Sequence, residues 1–89
     1  MSIHFPRSEK EKLLIESMHR FGEAMEGKKG LIMTHTTKDE DKNHLIGLAI
    51  WESKEDWSAA RPAMIKAVKD DPFEEWELKP PEVYHLTKV

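Results

Sequence analysis

Residues 45–51 read Leu-Ile-Gly-Leu-Ala-Ile-Trp, apolar at nearly every position. A short continuous apolar run of this kind reads as a strand with both faces covered. The chain has 89 residues, enough for one hydrophobic core, and a chain this short buries only about 60–65% of its unfolded surface. The simplest way to cover both faces is to place helices on one and another sheet on the other, with a partner subunit as a ready source of that sheet.

The rest of the chain supplies the helices and the remaining strands. Ser8 followed by Glu11 has the spacing of a capping box, so a helix is expected to start at Ser8. Leu14, Met18, Phe21 and Met25 then line one helical face, and Gly27 and Gly30 end it. Leu31 to Thr37 is a strand candidate, joined by the solvated turn Lys38–Asn43 to the apolar run, which makes a β-hairpin. Ser53 and Asp56 repeat the capping spacing, and Trp57, Ala60, Met64 and Val68 continue a second helix, with a kink or break expected at Pro62. Residues 72–81 look irregular, and Phe73 and Trp76 within them are expected to reach a partner subunit. Val83 to Val89 alternates like a final strand, and Ile3 and Phe5, alternating with Ser2 and His4, make a short first one. The order is β-α-β-β-α-β in a single domain spanning 1–89, an α+β class.

Charge and composition narrow the function. Fourteen basic residues are interleaved with 17 acidic ones, for a net charge of −3, which argues against nucleic-acid binding. There are no cysteines, so disulfides and thiolate metal sites are excluded. No stretch approaches the ~18–20 apolar residues of a membrane span, and the N-terminus lacks a targeting pattern, so a cytoplasmic location is expected. The five histidines lack metal-ligand spacing, and no phosphate loop or dinucleotide fingerprint appears, so neither a metal nor a cofactor is expected.

The segment Leu48-Ala-Ile-Trp51-Glu-Ser53-Lys-Glu-Asp-Trp57, a strand that ends in Trp and passes through Ser into an aromatic-bearing helix, resembles the antibiotic biosynthesis monooxygenase family. The glycine-led second strand and the closing Pro-Glu-Val83-Tyr84 segment agree with it. The resemblance implies a ferredoxin-like antiparallel sheet, two copies of which pack face to face as a dimeric α+β barrel. It also implies a cofactor-independent monooxygenase-like domain acting on or binding a small aromatic molecule. A non-catalytic stress-response or ligand-binding dimer and a small-molecule isomerase are the alternatives, because the fold hosts all three. Haem-degrading relatives use an Asn on the first strand plus a Trp and a His on the second helix. Here the first strand offers no Asn, the matching Trp position falls at Ala60, and Met64 to Asp71 contains no His, which disfavours that branch.

Cofactor-free oxygenation needs a base beside a dry pocket. His35 and His85, both on strand candidates, are the first and second choices for it, with a partly exposed structural histidine as the alternative for each. Met33, Trp51, Trp57, Met64 and Phe73 are candidates to line an aromatic-rich cavity, or simply to pack the core. Arg61 could meet an anionic group of a substrate, and Tyr84 could hydrogen-bond a substrate oxygen.

Overall fold

The computed structural model describes residues 1–89. Four strands, β1 (Ser2–His4), β2 (Leu31–Asp39), β3 (His44–Trp51) and β4 (Glu82–Val83), form one antiparallel sheet in the order β2-β3-β1-β4. The helices are α1 (Glu11–Glu23), α2 (Lys54–Val68) and the single turn α3 (Phe73–Trp76). This is the ferredoxin-like β-α-β-β-α-β arrangement, with the expected α+β class. The molecule measures 36 × 31 × 17 Å, and 17 Å is the thickness of one sheet with one layer of helices.

Side chains alternate across a strand, so the residues of β3 that touch the helices fix which face is covered. Leu45 is buried with Leu14, Met18 and Trp76, while Ala49 and Trp51 pack against a second cluster of Met25, Ala60 and Met64. Gly47 lies between them, where a Cβ would stand 3.5 Å from Met18 Cε. The opposite parity, Ile46, Leu48 and Ile50, faces away from the helices. Cross-strand partners share a face, so Met33, His35 and Thr37 (opposite Ile50, Leu48 and Ile46) and Ile3 (opposite Ile46) lie on that outer face too. The expectation that both faces of β3 are covered holds for one face within a single chain; the other is bare, and Ile50 is 49% exposed.

Several boundaries differ from the sequence reading, each for a physical reason. Ser8 caps nothing: its hydroxyl turns to Glu9, residues Ser8–Lys10 form a 3-10 turn, and the α-helix starts at Glu11. Ser53 does cap α2, accepting the Asp56 N–H at 3.1 Å. Pro62 neither breaks nor divides α2, which runs unbroken from Lys54 to Val68. The carbonyl deprived of a donor is that of Ser58, an exposed residue on the solvent side, and the burial of Ala60 and Met64 on the opposite side offsets the cost of the lost bond. The hairpin turn is shorter than expected, with Asn43 in the left-handed region at φ 57°. The final strand is also short. Its ladder with β1 is extended by the reciprocal bonds between Met1 and Tyr84, and residues 85–89 have no strand beside them.

Phe73 and Trp76 have a partner within their own chain. Trp76 is 8% exposed and joins the cluster of Leu14, Met18 and Leu45, with Phe73 edge-on to it at 5.9 Å. The turn of α3 folds them back over α1, so the core of the chain itself accounts for these two aromatics. Trp76→Ala should lower the unfolding free energy by about 3–5 kcal/mol in urea titrations, the range for truncating a buried aromatic, at protein concentrations where the oligomeric state is unchanged.

Candidate functional site

The first strand carries polar residues toward the helices and apolar ones away from them. Ser2 pairs with Gly47 and His4 with Leu45, both on the covered face of β3. Two polar side chains under a helix layer need partners, and they find them in each other and in Glu77. His4 Nε2 lies 3.1 Å from Ser2 Oγ, and His4 Nδ1 lies 3.2 Å from Glu77 Oε2. The second carboxylate oxygen of Glu77 accepts the Phe5 N–H at 2.9 Å. Glu77 is 3% exposed, and the segment after α3 holds it there through Arg7 N–H to Trp76 O and Leu78 N–H to Phe5 O, each 2.8 Å. Sequence reasoning passed over this relay. The alternation of Ser2 and His4 was visible, but Glu77 lies 73 residues from His4 and only the folded chain joins them.

A second group gathers at the start of α2. Trp51 and Trp57 pack against the cluster containing Met64, which is 2% exposed. His85 meets the Trp57 ring edge-on at 4.7 Å, and the Arg61 guanidinium lies 6.0 Å from the centroid of the same ring. The Trp51 Nε1–H is buried and has no acceptor. An unpaired buried donor costs about 1–3 kcal/mol, and a ligand oxygen arriving there would recover it.

The remaining expected site residues lie elsewhere. Met33 is on the outer sheet face and Phe73 is in the other core cluster, so neither joins Trp51, Trp57 and Met64 around one cavity. His35 stands opposite Leu48 on the outer face, away from the helices and the aromatic cluster. It also borders a polar depression of about 230 Å³ at the sheet edge, with His19, Glu23, Glu26, Thr34 and Thr36. A depression of about 280 Å³ lies near the hairpin turn and is lined by Phe5, Pro6, Lys42, Asn43, His44 and Lys79. No three histidine, aspartate or glutamate side chains converge as metal ligands. No helix is long and apolar enough to cross a membrane.

Tyr84 is exposed and donates its hydroxyl to Glu82 Oε1 at 2.9 Å. That bond and the neighbouring negative charge hold the phenol above its ordinary pKa. The Met1 ammonium, which donates to Tyr84 O, is pushed down by partial burial. Tyr84 is the sole tyrosine, so its ionisation can be followed directly by ultraviolet absorbance. The titration should fall above that of a free tyrosine, and Glu82→Gln should move it back down.

The fold and site define a small ferredoxin-like α+β domain. No family model matches the chain, and no curated protein matches its sequence. Among solved structures it is similar to Rv0793 from Mycobacterium tuberculosis, with a TM-score of 0.77 over 99% of this chain and 93% of that one, at 13% sequence identity. At that identity the likeness is one of fold.

Proposed function

We propose that the chain is a homodimeric α+β barrel domain that binds a small aromatic molecule at the Trp51–Trp57 cluster and oxygenates it without a cofactor. The observation that carries this reading is the buried, unpaired Trp51 Nε1–H inside an aromatic group with a histidine and an arginine at its rim. A flat substrate with an ionisable oxygen meets each need of that group. Its ring packs on Trp57, its oxygen accepts from Trp51, Arg61 balances the developing charge, and His85 is placed to take a proton. Tyr84 is left out of this cluster, because its hydroxyl is donated to Glu82, the strand partner of outward-facing Ile3. His85 takes precedence over His35 as the base because it touches the aromatic cluster, whereas His35 lies on the other side of the sheet.

The dimer rests on the bare outer face. Ile3, Met33, Ile46, Leu48 and Ile50 lie on one side of a sheet whose other side is already packed, sharing it with His35, Thr37 and Glu82, and the first strand turns Ile3 outward while keeping Ser2 and His4 under the helices. A second copy laid sheet to sheet would cover this surface in both protomers, with His35 of each chain within the join.

In oxygen-electrode assays with a panel of electron-rich phenols, His85→Ala should lower oxygen uptake by about 10²–10⁴-fold while His35→Ala leaves the chemical step unchanged. Trp51→Phe should weaken ligand-induced thermal stabilisation. Turnover without oxygen uptake would favour an isomerase, and no thermal shift with any aromatic ligand would favour a non-catalytic dimer. Light scattering should give a dimer mass at micromolar concentration, and Leu48→Asp should convert it to monomer, since an unpaired charge cannot be buried between two apolar sheets.

A further inference from the structure

We infer that Ser2, His4 and Glu77 form a second reactive centre, in which Ser2 is an acyl-accepting nucleophile for short-chain carboxylic esters. The geometry is that of a hydroxyl, an imidazole and a carboxylate in series, at 3.1 Å and 3.2 Å. A Glu77 carboxylate would accept from His4 Nδ1–H, and that tautomer of the neutral imidazole leaves Nε2 as the acceptor facing the Ser2 hydroxyl. The carboxylate is fixed by burial and by the Phe5 N–H on its other oxygen, and the His4 side chain is 14% exposed, so the imidazole has little freedom to turn away.

Gly47 makes room for the arrangement. A Cβ at that position would stand 2.8 Å from Ser2 Oγ and 3.5 Å from Met18 Cε, so any side chain there would crowd the hydroxyl. The surroundings of Oγ are therefore tight, and the flexible Met18 thioether beside Gly47 would have to shift to admit an acyl group, which limits the substrate to short acyl chains.

In the reaction, Ser2 Oγ attacks the ester carbonyl and forms the new carbon–oxygen bond while its proton passes to His4 Nε2. The bond to the departing alcohol or phenol breaks, and that oxygen takes the proton back from His4. Water then repeats the sequence on the acyl-serine, releasing the carboxylic acid and restoring the hydroxyl. Glu77 acts as a positioning residue through His4. The overall change is ester plus water to acid plus alcohol, with no oxidant needed.

The test uses the full chain with 4-nitrophenyl acetate. Nitrophenolate release is followed by absorbance, and the acetylated protein is mapped by peptide mass spectrometry before and after hydroxylamine, which cleaves esters and spares amides. The expected result is a hydroxylamine-labile acetyl group on Ser2 and a release phase that falls by at least about 10²-fold in Ser2→Ala, with the melting temperature unchanged. Gly47→Ala, which removes no reacting group, should also suppress the adduct by crowding Oγ. Glu77→Gln should shift the pH profile of acylation, an effect that a purely structural role would not produce. Acetyl groups confined to the Met1 amine or lysines, or a Ser2 adduct undiminished in Gly47→Ala, would overturn the inference.

Discussion

The burial of Leu45 against Leu14 and Met18 is the contact from which the rest of the structure follows. Leu45 is 1% exposed and Leu14 fully enclosed, so this pair fixes α1 over the sheet. Because strand side chains alternate, fixing Leu45 also fixes every other residue of β3: Gly47, Ala49 and Trp51 go under the helices, and Ile46, Leu48 and Ile50 go outside. A slip of one residue would exchange the two sets and put Ile46 where Gly47 must be. The cross-strand register then carries the choice to β1 and β2, so the position of His4 under α1 and of His35 on the outer face are both consequences of one apolar contact.

The same contact explains why so much polar chemistry lies on the helix side. The covered face of the sheet tapers from Leu45 through Gly47 and Ala49 to Trp51, and the small residues in the middle leave space that Ser2 and Met18 share. Polar groups admitted to that space must be satisfied there, which the Glu77 carboxylate does with one oxygen toward His4 and the other toward the Phe5 amide. A similar solution ties α1 to the end of α2, where Asp71 Oδ2 accepts from Ser17 Oγ at 2.5 Å and from Arg20 Nη2 at 2.7 Å. At the sheet edge Lys38 reaches Glu11 at 2.7 Å, so a charged residue on the covered face is paired as well. Each of these bonds joins elements distant in sequence, and together they hold the helix layer in one orientation on the sheet.

Particular elements mark how far sequence reading reaches. The periodicity of Leu14 and Met18 marked the buried face of α1, and Ser53 marked the start of α2, because both signals are local and the physics behind them acts within a few residues. Pro62 misled because its cost depends on whether the orphaned carbonyl meets water, and the sequence does not say which side of the helix that carbonyl faces. Trp76 misled in a related way: a large aromatic in an irregular stretch looks exposed until the short turn Phe73–Trp76 returns it to the core.

The sequence by itself determined the element order, the amphipathic face of α1, and the two-sided apolar character of β3 that leaves one face bare in a lone chain. These depend on composition and spacing over short range. Only the tertiary structure decided which histidine meets which partner. His85 reaches Trp57 and His4 reaches Glu77 because chain segments 28 and 73 residues apart are brought together, and such pairings follow from strand register and helix docking, which no local pattern encodes.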